Sequence, residues 1–210
     1  METEQTESHR EREFKDPPPF PKTNDHISHS LSFSILPKDK STTPILQKYT
    51  FPHYFSPLSI PLPASRKWRY IVIHHSSTSK GSAKAFDRYH RRVRHWKNGL
   101  GYHFVIGNGS QTKVGEIEVG PRWKRQIQGA HAGSHKYNYH GIGICLVGNY
   151  EHKKPTPKQF YALVRLTKTL MKKYKIPLSH VLPHRMVRRG PTDCPGKAFP
   201  WKAFIQAIKQ

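Results

Sequence analysis

Hydrophobic periodicity is weak over the first 65 residues and strong after Arg66, where apolar positions recur at the spacings of strands and helices. Within WRYIVIHHSS, the β-branched run Tyr70 to Ile73 predicts a buried strand ending in two histidines. Behind Ser82, a candidate cap, Phe86, Tyr89, Val93 and Trp96 recur at three- and four-residue steps and predict a helix ended by Gly99. GYHFVIGNGSQTKVGE predicts two strands around an Asn-Gly turn, and IGICLVGNY another buried strand. TPKQFYALVRLTKTLMKKY predicts a long amphipathic helix with Pro157 in its first turn, and a short helix from about Trp201 closes the chain. The order strand, helix, hairpin, strand, helix predicts an α/β fold. A single domain over residues 66–210 is expected, with a central mixed β-sheet flanked by helices.

Residues 1–65 are rich in Pro, Ser, Thr and Lys, with PPPFP and FSPLSIPLP, and are expected to form a largely disordered extension. Its apolar residues from Tyr49 to Leu62 leave a second reading open, that they pack on the domain surface. The N-terminus mixes both charges with no apolar run behind it, so no classical secretory signal is predicted. No apolar stretch approaches the roughly 20 residues of a membrane span. A soluble monomer is expected, starting in the cytoplasm if the missing signal is decisive and acting at the cell wall if the chemistry below is.

Charge changes the picture. The net charge is +23, yet residues 1–65 carry seven Lys and Arg against eight Asp and Glu, so residues 66–210 hold 29 basic and only five acidic groups. Such an excess suits a polyanionic partner: nucleic acid, an anionic envelope surface or lipid. HRRVRHWK, RWKRQ and KKYK carry much of it. Nucleic acid is disfavoured, because the chain has no recognisable reading helix or zinc-finger spacing and its two cysteines lie 49 residues apart. A glycosidase is disfavoured as well, since that chemistry needs two carboxylates in one cleft and the domain has few acids to pair. Two cysteines are too few for a disulfide-built scaffold, which leaves Cys145 and Cys194 as buried thiols or metal ligands.

Three residues are candidate zinc ligands. His74 ends the first strand, and HRMVRRGPTDCPG places His184 and Cys194 ten residues apart in a loop containing Gly and Pro. A catalytic zinc takes three N, S or O ligands from the protein and keeps one position open. Singly, His74 reads equally as a hydrogen-bonded strand-end histidine and Cys194 as a small buried hydrophobe.

Taken in order, IVIHHSST, GLGYHFVIGNG, GAHAGSHKYNYHGIGICLVGNY and HRMVRRGPTDCPG closely resemble the zinc N-acetylmuramoyl-L-alanine amidases, a family that includes phage amidase-type lysozymes and peptidoglycan recognition proteins. The resemblance runs from about Tyr70 to Trp201. It implies Zn2+ held by His74, His184 and Cys194, and hydrolysis of the amide between the lactyl group of N-acetylmuramic acid and L-alanine of the stem peptide. Zinc would act as a Lewis acid and lower the pKa of a water toward about 7. Tyr102 matches the family's catalytic tyrosine, and Thr192 stands where relatives carry Thr or Lys that assists the oxyanion. His131, in GAHAG, matches a substrate-binding histidine lining the groove. Cys145 occupies the position of a glutamate base in some branches, so acid-base work is expected from zinc, Tyr102 and Thr192. Asp193 has two readings, a partner orienting a ligand histidine or an exposed loop carboxylate. The implied partners are peptidoglycan and muropeptides. A non-catalytic muropeptide-binding module on the same fold is the alternative; loss of the cysteine ligand marks such members, and Cys194 is retained.

Overall fold

The computed structural model describes Leu58, residues 60–64 and residues 66–209. The extension expected to be disordered falls mainly outside them. Its last part is described, and Leu58, Ile60 and Leu62 pack against the main core. The Trp123 indole donates to the Pro61 carbonyl at 2.8 Å, and the Tyr174 hydroxyl donates to the Pro63 carbonyl at 2.8 Å.

The elements run β1 (Tyr70–His75), α1 (Ala83–Arg92), β2 (Phe104–Ile106), β3 (Ile117–Val119), α2 (Pro121–Lys124), α3 (His135–His140), β4 (Gly141–Leu146), α4 (Pro157–Tyr174), β5 (Val181–Pro183) and α5 (Trp201–Lys209), with short 3-10 turns at Leu178–His180 and His184–Met186. The sheet order is β3-β2-β4-β1-β5. Only β2 and β3 pair antiparallel; the other three pairings are parallel, which makes the sheet mixed as expected.

Strand alternation divides the sheet into two faces. Ile71 and Ile73 of β1, with Phe104, Ile106, Ile142, Ile144 and Leu146, join the core covered by α4 and α5. Phe86 and Leu100 cover Val105 and Cys145 on the opposite face, while Tyr137 and Ala132 pack near Val72. His74 belongs to this second face. Helix α4 begins with a capping box: the Thr156 hydroxyl accepts from Gln159 N at 3.2 Å, and the Gln159 carbonyl oxygen accepts from Thr156 N at 3.3 Å.

Two elements differ from their sequence reading. Helix α1 stops at Arg92, leaving Val93 57% exposed, because His95 takes a left-handed backbone (φ 55°) and turns Trp96 back to stack on His90 at 4.6 Å. The β2–β3 hairpin forms, but Asn108-Gly109 is not its two-residue turn. The Asn108 side chain accepts from Ser110 N and donates to the Ser79 carbonyl, tying a longer loop to the segment after β1. Strand β3 is thereby displaced to Ile117–Val119, with Ile106 opposite Ile117.

His103 joins β2 to β4 where regular pairing has not yet begun. Its backbone N–H donates to the Gly143 carbonyl, its Nδ1 accepts from Gly143 N, and its Nε2 lies 3.1 Å from the Ile127 carbonyl. Burial pushes its pKa down to about 3, and burial likewise pushes His90 to about 4. An unfolded histidine titrates near 6.5. The stability these neutral rings contribute is therefore complete above about pH 6.5 and is lost as pH falls through that value toward about 3 to 4. Urea midpoints should drop between about pH 7.5 and about pH 4.5; a midpoint that holds or rises would contradict the assignment. Leu163→Ala, in the fully buried face of α4, should destabilise by about 2–5 kcal/mol. Thr156→Ala should cost about 1 kcal/mol through the lost cap. Equal effects of the two in urea titrations would show that the core is not packed as described.

Candidate metal centre

Strand β1 is hydrogen-bonded on both sides, so its C-terminal end is rigid. Parallel pairing places the C-terminal ends of β1, β4 and β5 at the same edge of the sheet, the usual place for a site in such a sheet. His74 sits there with 1% exposure, opposite Cys145 in the β1–β4 register. His184 opens the turn that directly follows β5. The loop after it closes on itself: Arg185 N donates to the Cys194 carbonyl at 2.9 Å, which returns Cys194 to His184 despite the intervening residues. The Cys194 thiol also accepts from His75 N at 3.4 Å.

The result is a cluster in which His74, His184 and Cys194 each offer a ligand atom, all within 4.8 Å of one another. The Cys194 sulfur lies 3.9 Å from His74 Nδ1, and the His74 and His184 rings are 4.4 Å apart. Among the described residues no other group of His, Cys, Asp and Glu is so arranged. His184 Nε2 is buried with no hydrogen-bond partner among the described residues, a costly state for a polar nitrogen unless an ion or water satisfies it.

The electrostatics suit a cation. Burial first, then His184, His131 and His75, holds the His74 pKa well below its ordinary value. Burial pushes His184 down to about 4 and the Cys194 thiol up to about 12. Neutral imidazoles are ready donors, and a dication inverts the thiol's preference by stabilising the thiolate. Two nitrogens and one sulfur form a donor set that favours zinc.

The Tyr102 ring lies 5.2 Å from the His74 ring. A hydrogen bond links its hydroxyl to the Cys145 sulfur, and burial, followed by Cys145 and Cys194, holds its pKa well above 10. It therefore remains a phenol with a proton to donate. The Thr192 hydroxyl accepts from Cys194 N at 3.2 Å, which leaves its own proton uncommitted in that bond. His131 is buried behind His74, its Nδ1 3.0 Å from His74 Nε2. Asp193 is exposed and paired with Lys197 at 3.3 Å, so the loop-carboxylate reading is the one observed.

Two residues near the centre carried no role in the sequence reading. His75 points to the other side of β1, where its Nδ1 accepts from Tyr150 N at 3.1 Å and its Nε2 lies 2.8 Å from the Ser77 hydroxyl. Glu151 lies 3.9 Å from His75 Nε2, and its charge raises the Cys194 pKa. An acid in GNYEH gives no local sign of this; only the crossing of the β4 loop over the end of β1 brings it near.

Residues 64–197 match the family model for N-acetylmuramoyl-L-alanine amidase. The chain is 32% identical over 136 residues to peptidoglycan-recognition protein SC2 of Drosophila melanogaster, covering 60% of this chain and 67% of that one. Among solved structures it is similar to the endolysin N-acetylmuramoyl-L-alanine amidase LysCS from Clostridium intestinale URNW, with TM-score 0.58, 30% identity, and 68% and 84% of the two chains covered. It is also similar to Drosophila PGRP-LB in a complex with tracheal cytotoxin, with TM-score 0.52, 29% identity, and 64% and 79% covered. The strand order, the clustered histidines and cysteine, and these matches agree: the chain belongs to the N-acetylmuramoyl-L-alanine amidase family.

Proposed function

We propose that this protein is a zinc-dependent peptidoglycan amidase that hydrolyses the amide between N-acetylmuramic acid and L-alanine of the stem peptide. The observation that carries the reading is the approach of His74, His184 and Cys194 to within 4.8 Å, with Tyr102 beside them. These three residues would hold Zn2+, which supplies Lewis acidity toward the scissile carbonyl and makes water nucleophilic near neutral pH. Tyr102 acts as the proton donor to the oxygen on which charge develops, since burial keeps its phenol protonated. Thr192 assists from the ligand loop, its hydroxyl oriented by the Cys194 N–H. Cys145 takes no proton from substrate: it is completely buried, and burial raises its pKa well above the ordinary thiol value.

A muropeptide-binding module on the same fold is the second reading, favoured by the similarity to a recognition protein solved with tracheal cytotoxin bound. The two readings separate on one variant. In the amidase reading, purified protein holds about one zinc and releases new L-alanine amino termini from cell walls, while Cys194→Ala loses zinc and turnover but still binds muropeptides. Intact walls after incubation with zinc-loaded protein, with muropeptide binding retained, would establish the binding module instead.

Tyr102→Phe should keep its zinc and lower kcat by about 10²- to 10³-fold with little change in KM, the scale of losing one oxyanion donor. Mass spectrometry of digested muropeptides reads this directly. Wild-type turnover by Tyr102→Phe would remove the phenol from the mechanism.

A further inference from the structure

His131 stands out because both of its ring nitrogens are occupied within the protein. Nε2 lies 3.3 Å from the Gly141 carbonyl oxygen, and Nδ1 lies 3.0 Å from His74 Nε2. The residue is 7% exposed. No ring nitrogen is left to meet a substrate, which is difficult to reconcile with a place on the groove wall.

We infer that His131 is a positioning residue that sets the tautomer of His74, so that His74 presents a bare Nδ1 to the metal; the inference rests on the proposed zinc site. A carbonyl oxygen only accepts, so the nitrogen facing Gly141 must carry the proton. A neutral imidazole has one proton, and His131 Nδ1 is therefore an acceptor. It accepts from His74 Nε2–H, and the proton that His74 places on Nε2 is absent from Nδ1. Nδ1 is the nitrogen 3.9 Å from the Cys194 sulfur. The opposite arrangement would set the His131 Nε2 lone pair against the Gly141 oxygen, repulsive at 3.3 Å. Metal-binding histidines commonly have their second nitrogen fixed by such a partner, usually a carboxylate or carbonyl. Here a second histidine passes the preference on from a backbone carbonyl.

The surroundings are shaped to hold this ring. A Cβ on Gly143 would come within 2.5 Å of His131 Cδ2, and a Cβ on Gly129 would also strike the ring, so both positions are bare backbone where it lies. Asn138 Oδ1 accepts from the N–H groups of His131 and Ala132, each at 2.8 Å, which anchors the segment. His103, itself locked to Gly143, closes the remaining side with ring centroids 5.7 Å apart. Gly143 thus serves β4 pairing and His131 seating together.

The test uses the full chain and two variants, with zinc dissociation constants from chelator competition and imidazole tautomers from long-range 1H–15N correlation of metal-free protein. His74 should show a protonated Nε2 and a bare Nδ1 in the wild type. His131→Ala should weaken zinc binding by about 10- to 100-fold and mix the His74 tautomers. His131→Asn, whose side-chain oxygen falls near the position of Nδ1, should restore most of the affinity. A His131→Ala protein that binds zinc like wild type and loses only muropeptide affinity would overturn the inference in favour of a substrate contact. A protonated Nδ1 on wild-type His74 would overturn it too, whether or not His131→Ala folds. If wild type binds no zinc yet shows the stated tautomer, the zinc reading fails while the relay stands.

Discussion

The centre depends on one constraint, the burial of β1 between two parallel neighbours. Because β4 and β5 both bond to it, its backbone cannot rotate, and the two-residue alternation of a strand assigns its side chains without freedom. Ile71 and Ile73 enter the core; His74 emerges on the opposite face at the strand's end. A slip of one residue would put an isoleucine at the metal position and a histidine in the core. Parallelism then places the turn after β5, and with it His184, at the same edge. The closed loop from Arg185 to Cys194 completes the set with one backbone hydrogen bond.

Burial gives this set its chemistry as well as its shape. Removed from water, the histidines are held neutral and the thiol protonated, and His184 Nε2 has no partner among the described residues. A cluster in this condition is poorly satisfied by itself and well satisfied by a dication, which explains why the polar groups tolerate so dry a position. The same dryness keeps the Tyr102 proton in place. The acids are kept at a distance: Asp193 turns outward to Lys197, and Glu151 is held at the His75 side of β1. The domain's basic excess and its shortage of acids are consistent with work on an anionic wall, and among the described residues no helix is long and apolar enough to cross a membrane.

Most of the architecture was legible in the sequence where local chemistry and packing agree. The β-branched run ending in HHS, the Thr156-Pro157 start of the long helix and the glycine-bounded IGICLVG strand announce β1, α4 and β4. The ligand set was legible only through the wording of several motifs together, because nothing local in His74, His184 or Cys194 says that they meet. Misreadings arose where tertiary contacts overruled local pattern. Val93 fits helical periodicity but is exposed, since stacking of Trp96 on His90 ends the helix earlier. Asn108-Gly109 has hairpin chemistry but spends its side chain on Ser79. Strand β5 is three residues long, too short to leave a periodic signal. The burial of His131 behind His74 depends on glycines elsewhere in the chain, Gly129 before it and Gly143 in β4, and no spacing rule would have found it.

The account stands most directly on the identity of the atoms around the metal. X-ray absorption at the zinc edge of the reconstituted protein should show one sulfur at about 2.3 Å and two imidazole nitrogens at about 2.0–2.1 Å, with a light oxygen donor completing four-coordination. The sulfur contribution should disappear in Cys194→Ser. A spectrum of nitrogen and oxygen donors alone in the wild type, or a zinc lost on simple dialysis, would contradict the site described.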